Sequence, residues 1–401
     1  MTHMKNVSIQ WLLGDENVSV CPMMPYSQLV IDFLDQLSTV LRKSVNPGEY
    51  PDIISIAFWC RKGNILKLKE QAQDIESSLG KGLVFHITPS NVPVNFAFSF
   101  FFGLLSGNSN IVRVPSKDYP QTDIICSAIK QVLCDKKYDS IKRGNAFVKY
   151  GHEEEITDEF SSMADARIIW GGDESIKSIR KSPLKPKATE IVFADRYSFG
   201  VISLAAVKNA SDSELKALSH SFYNDTYLMD QNACSTPHLI VWKKDVMGED
   251  ELMIKKTFWD AVAKEAKNYD LEPIKAIDKY TNLCAVGMEG ELEVTTVNRW
   301  ENLLYVVNLN KLPQDICTLR GRFGMFFDVT IDDVNALAPY IDEKVQSLLY
   351  YGIDRDELKR FVISNGLLGV DRIVPFGKAL DIGVFWDGYD IIGQLSRRIS
   401  F

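Results

Sequence analysis

From Gly82 onward the chain alternates short apolar runs with helix-period segments, and this alternation most limits its fold. Leu83-Val84-Phe85-His86-Ile87 reads as a buried strand, Val94 to Leu105 as a helix and Asn110-Ile111-Val112-Arg113-Val114 as a second strand. Strand, helix and strand with short connections make a βαβ unit, which requires a parallel sheet. The pattern continues with helices at Thr122 to Leu133 and Glu154 to Met163, and strands at Ala146 to Tyr150 and Arg167 to Trp170. The last strand ends in Gly171-Gly172, and Asp173 to Arg180 opens another helix. By pattern this is a doubly wound nucleotide-type domain.

What flanks it sets the domain plan. Residues 1–80 carry amphipathic helical stretches at Ser27 to Leu41 and Ile65 to Leu79, read as a helical arm packing on a cofactor domain of residues 81–197. A second α/β region covers 198–364. It has strands at Gly200 to Val207, His238 to Trp242, Leu304 to Leu309 and Met325 to Val329. Helices are expected at Asp250 to Lys267 and Ile331 to Leu349, and Ser211-x-x-Glu214 reads as a capping box that opens one more. The tail, 365–401, is Gly-rich and aromatic.

Charge and composition exclude several functions. The 401 residues carry a net charge of −8, which argues against nucleic acid as the main partner. The longest apolar run, Val92 to Ser106, is shorter than a spanning helix needs and reads as a core helix. Met1 to Asn6 show no apolar signal segment. The seven cysteines form no CxxC and no zinc-spaced cluster with histidine, so reduced thiols in the cytoplasm and no metal site are expected.

One thiol stands apart. Cys234 lies in Asp230-Gln231-Asn232-Ala233-Cys234-Ser235-Thr236-Pro237, a polar loop between a helix and an apolar strand, where a nucleophile can reach an acyl carbon. A buried structural thiol is the alternative. A helix C-terminus does not activate a thiol, so activation has to come from elsewhere. His238 lies four residues on, on a strand that can carry it inward as a structural histidine.

Three other segments supply parts for such a thiol. Thr88-Pro89-Ser90-Asn91-Val92-Pro93 ends the first strand, where ligands of open α/β sheets bind. Asn91 there can aim an amide at a developing oxyanion, or simply make a turn with the prolines. Arg113, Ser116 and Lys117 end the second strand and suit a ribose or phosphate, or form a solvated basic loop. Gly171-Gly172 let backbone approach a pyrophosphate, although a plain tight turn explains them equally and no GxGxxG occurs.

Taken together, these segments resemble the aldehyde dehydrogenase superfamily, and within it the LuxC-type acyl-CoA reductases. The matching motifs are Pro89-Ser90-Asn91-Val92-Pro93, Gly107 to Lys117, Gly171-Gly172 and Asp230 to Cys234. Arg322-Phe323-Gly324, Gln346 before Tyr350-Tyr351-Gly352, Arg372 to Gly377 and Trp386-Asp387-Gly388 look like the reductase family. The likeness runs from about residue 80 to the end. It implies an aldehyde dehydrogenase-like fold: nucleotide-binding domain, catalytic domain holding Cys234, and a C-terminal segment near the active site and an oligomer contact.

The resemblance also implies roles. Cys234 is the nucleophile and Asn91 the oxyanion-hole side chain. Thr88, Pro89, Arg113, Ser116, Lys117, Gly171, Gly172 and Ser175 would bind the cofactor. Many superfamily members carry Glu where this chain has Lys117; that Glu repels a 2′-phosphate, so NADPH is expected. Glu190 lies near the family's general base, farther from Cys234 than usual, and with His238 is a candidate acid/base. The implied activity is NADPH-dependent reduction of a fatty acyl thioester, acyl-CoA or acyl-protein, to an aldehyde, in a homo-oligomer with an acyl-protein synthetase as partner. An acyl-phosphate reductase of the glutamate-semialdehyde type and an acyltransferase module without redox activity are the alternatives.

Overall fold

The computed structural model describes residues 9–46, 48–246, 251–288 and 292–401. The expected start of a helix at Asp250 and the reading of Met1 to Asn6 lie outside them. The chain divides into two compact units: the described residues up to Ala194 with Gly383–Phe401, and Asp195–Ile382. These boundaries differ from those expected at 197/198 and 364/365. The tail is shared, because Arg372–Pro375 pairs with a strand of the second unit whereas Ser396–Arg398 pairs with Ser78–Gly80 in the first.

The first unit is built on a sheet of six strands: β1 (Gln10–Leu13), β2 (Leu83–Ile87), β3 (Ser109–Arg113), β4 (Asn145–Lys149), β5 (Ala166–Trp170) and β6 (Thr189–Phe193). The spatial order is β1-β4-β3-β2-β5-β6, parallel except for β1. The parallel strands thus run third-second-first-fourth-fifth, the doubly wound order, with its switch point between β2 and β5. Helices α1 (Gln28–Ser44), α2 (Asn95–Leu105), α3 (Pro120–Val132), α4 (Glu154–Met163) and α5 (Asp173–Ile179) surround it. The Val92 to Ser106 run is α2, whose Phe96 and Phe100 pack edge-on against Phe147 of β4. The expected helix from Ile65 to Leu79 is shorter, Lys62–Gln71, because the chain turns at Asp74 (φ 54°) into the short strand at Ser78.

In the second unit β7 (Tyr197–Ser203), β8 (Pro237–Lys243), β9 (Val294–Trp300), β10 (Leu304–Leu309), β11 (Met325–Ile331), β12 (Val345–Tyr351) and β13 (Arg372–Pro375) line up as β9-β10-β11-β8-β7-β12-β13. Only the β9–β10 pair is antiparallel. Its two faces bury separate cores, one around Val201, Val241 and Phe327, the other around Ile202, Trp242 and Phe326. Helices α6 (Asp212–Thr226), α7 (Glu251–Glu265), α8 (Pro273–Met288) and α9 (Arg355–Ser364) connect the strands. α6 opens with both halves of the expected capping box.

Two expectations in this unit are corrected. The strand expected at Gly200 to Val207 stops at Ser203, which caps a short helix over Leu204–Asn209. The helix expected from Ile331 to Leu349 does not form. Its middle is a 3-10 stretch, Val334–Tyr340, containing Pro339, and its end is β12, buried between β7 and β13. A short apolar run buried on both faces cannot be told from helix by periodicity alone.

Candidate active site

The doubly wound order places the expected cofactor residues together at one sheet edge. Ile87 of β2 pairs with Arg113 of β3 and with Ile169 of β5, so Thr88-Pro89, Arg113 and Gly171-Gly172 all leave from the carboxyl ends of three adjacent strands. Ligands bind there in open α/β sheets. Thr88 is buried and its hydroxyl donates to the Arg113 carbonyl at 2.7 Å, tying two of those ends together. Asn91 is exposed on the bend that follows.

The two cations differ. The Arg113 guanidinium lies over the Tyr150 ring, 4.4 Å from its centroid, and donates to the Gly151 carbonyl. It is engaged by its own fold. Ser116 and Lys117 are exposed, and Lys117 has no carboxylate within ion-pair distance among the described residues; its ammonium lies 5.3 Å from the Tyr119 ring. At the glycine turn a Cβ on Gly172 would meet nothing within 4 Å, so the turn is open to an approaching group. Ser175 beyond it is exposed. Asp173 and Glu174 occupy the first turn of the seven-residue α5 and oppose an anion at that helix end.

Cys234 belongs to the second unit. It is exposed on a turn at the amino end of β8, the central strand, not at a carboxyl end. Two bonds hold the turn's main chain, and a third anchors one of the partners. Ser198 Oγ donates to the Cys234 carbonyl at 2.7 Å and accepts the Ser347 amide at 3.2 Å, while the Thr236 amide reaches the Ala233 carbonyl at 2.9 Å. The Thr236 hydroxyl donates to the Asp225 carbonyl at 2.8 Å. The Asp225 carboxylate in turn accepts the amides of Gly377 at 2.5 Å and Ala379 at 3.0 Å, and burial raises its pKa to about 7.

Both acid/base candidates have structural surroundings. Glu190, on β6, accepts Arg167 Nε at 3.0 Å and Arg180 Nε at 2.7 Å, so its carboxylate lies between two guanidiniums. His238 points inward, stacked on Tyr197, with Nδ1 3.2 Å from the Gly321 carbonyl. Burial pushes its pKa down to about 3, so the ring is neutral and buried away from proton exchange. The inward reading of this histidine is the one the structure supports.

Some of the groups that shape the thiol loop are not visible in sequence as site residues. Ser198 and Ser347 lie far from Cys234 in sequence, Asp225 lies at the end of the helix just before its loop, and none of the three carries a motif. Gln231 lies within the Asp230 to Cys234 motif, where sequence alone gives it no role; it is buried, with its amide bonded to the main chain at Gly324 and Met325.

Comparison with known proteins follows the same lines. Residues 62–398 match the family model described as acyl-CoA reductase (LuxC). A long-chain acyl-protein thioester reductase of Vibrio harveyi is 25% identical over 342 residues, 80% of this chain and 64% of that protein. One of Aliivibrio fischeri is 26% identical over 157 residues, 38% of this chain and 30% of that protein. The chain therefore spans less than two thirds of these relatives. Among solved structures, an indole-3-acetaldehyde dehydrogenase in complex with NAD+ superposes with a TM-score of 0.60 at 12% identity, covering 93% of this chain and 81% of that one. The fold is that of the aldehyde dehydrogenases, and the chain belongs to the LuxC acyl-CoA reductase family.

Proposed function

We propose that the chain reduces an acyl thioester to an aldehyde with NADPH, through an acyl group carried on Cys234. The observation that carries this is the exposed thiol on a turn tied by Ser198 at the Cys234 carbonyl and by the Thr236 hydroxyl at Asp225, in a chain of this family. The Cys234 thiolate attacks the acyl carbonyl, a new C–S bond forms, and the carrier leaves as a thiolate that takes up a proton. The Asn91 amide is assigned to the oxyanion by the resemblance. A nicotinamide cofactor held at the strand ends by Thr88, Lys117 and the Gly171-Gly172 turn would supply hydride for the thioester carbon. Collapse of the resulting tetrahedral centre releases aldehyde and returns the Cys234 thiolate. No water has to be activated, so nothing in the sequence of steps needs Glu190 as a base.

The first unit has features that suit a dinucleotide: a switch point flanked by three strand ends, an open glycine turn and, at Lys117, an ammonium with no carboxylate partner among the described residues. Lys117 favours a 2′-phosphate and so NADPH over NADH. Long acyl chains, an acyl-protein donor with its synthetase, and a homo-oligomer are part of the same proposal, supported by the relatives' names and the family resemblance. Among the described residues no helix is long and apolar enough to cross a membrane.

The test is NADPH oxidation at 340 nm with a series of acyl-CoAs, on the native chain and on Cys234→Ala, with the aldehyde trapped. Aldehyde from the native chain alone supports the proposal. An acylated Cys234 without turnover points to a transferase. No acylation with thioesters, beside turnover of acyl phosphates, overturns it.

A further inference from the structure

We propose that Gln231 is a positioning residue, which sets the main chain that carries the Cys234 thiol by clamping its loop to the amino end of β11. The proposal rests on the reading of Cys234 as the acyl-accepting nucleophile.

The loop begins in a conformation that the chain does not adopt unaided. Asp230 and Gln231 are consecutive, neither is glycine, and both have left-handed φ, 54° and 58°. L-residues avoid this region because Cβ approaches the following carbonyl oxygen. Such residues persist only where their surroundings over-determine them, and they cluster at functional sites. Here the surroundings are visible. The Asp230 carboxylate accepts the Tyr269 hydroxyl and pairs with Lys275 at 3.1 Å. The Gln231 side chain is buried, and its Oε1 accepts the amides of Gly324 at 2.6 Å and Met325 at 3.2 Å while Nε2 donates to the Met325 carbonyl at 3.0 Å.

The receiving end is held from behind. Phe323 and Gly324 also have positive φ, 53° and 89°, and the buried Lys279 ammonium donates to the carbonyls of Phe323, at 2.8 Å, and Asn302. Met325 starts β11, which pairs directly with β8, the strand that Cys234 leads into. One uncharged amide thus fixes the loop three residues before the thiol against a strand next to the one three residues after it. An amide does not ionise at working pH and cannot serve as an acid or base, so its contribution is geometric. Misplacing an attacking atom by about 1 Å can cost about a hundredfold in rate.

The experiment uses the full chain, as native, Gln231→Ala and Gln231→Glu, with Cys234→Ala as reference. Acylation of Cys234 by palmitoyl-CoA is followed in single turnover by mass spectrometry, beside thermal melting and NADPH titration. Both Gln231 variants are expected to acylate about tenfold to a hundredfold more slowly, with NADPH affinity unchanged. Gln231→Glu keeps the shape and both acceptor contacts but donates to Met325 only when protonated. Its acylation deficit relative to native should shrink as pH falls. Native-rate acylation by folded Gln231→Ala overturns the proposal. Should that variant fail to fold, a pH-independent deficit in Gln231→Glu overturns it. Turnover retained by Cys234→Ala sinks the nucleophile reading and this proposal with it, whereas a Cys234-dependent reaction indifferent to Gln231 sinks this proposal alone.

Discussion

The Glu190 carboxylate accepts Arg167 Nε at 3.0 Å, and that guanidinium is almost wholly buried in the first unit, with only 2% of its side chain exposed. Arg167 also donates to Ser161 Oγ and to the carbonyls of Ile179 and Ser182, so it joins β5 and β6 to the ends of two helices. Glu190 supplies its counter-charge. Removing one partner of a buried pair leaves an uncompensated charge and costs about 3 kcal/mol or more. Glu190→Gln should therefore lower the unfolding free energy by about that amount while turnover per folded molecule stays within about threefold of native. A turnover collapse in a stably folded variant would restore Glu190 as an acid/base group.

Asn91→Ala tests the oxyanion assignment. Loss of one oxyanion donor typically costs about 10² to 10³ in kcat. Asn91 is exposed, so little loss of stability is expected, and a melting curve with kcat measured on the same sample separates the two effects.

Lys117→Glu should raise the KM for NADPH by about tenfold or more and lower that for NADH, because a carboxylate repels a 2′-phosphate where an ammonium attracts it. Unchanged selectivity would remove the 2′-phosphate argument. Arg113 is the contrast: over Tyr150 and bonded to Gly151, its replacement by Ala should cost stability more than cofactor selectivity.

Acid should destabilise the chain through its buried imidazoles. Burial lowers the pKa of His86 to about 4 and of His238 to about 3, from 6.5. Below pH 6.5 the unfolded chain binds protons that the native chain refuses, so stability present above pH 6.5 is lost as pH falls toward 4. Melting temperatures from pH 7 to 4.5 should fall less steeply for His238→Gln than for the native chain, and equal slopes would count against a neutral His238. Asp225, with its pKa raised to about 7, acts in the opposite sense between pH 4 and 7, so Asp225→Asn should steepen the acid decline.

What the sequence determined by itself is local. The β2-α2-β3 unit, the α4 limits and the Ser211–Glu214 capping box all emerge where expected, because backbone hydrogen bonding and apolar periodicity act over a few residues. The strand-end positions of Thr88, Arg113 and Gly171 follow from the same alternation, since parallel strands bring their carboxyl ends to one edge. Tertiary structure decided the rest. β1 is an edge strand whose antiparallel partner, β4, lies far along the chain, and β12 is a strand only because β7 and β13 enclose it. The same holds for chemistry. Glu190 becomes a counter-ion through Arg167, and Gln231 becomes a clamp through main chain 94 residues away. A side chain's partners are set by which strands lie side by side, and no local propensity encodes that.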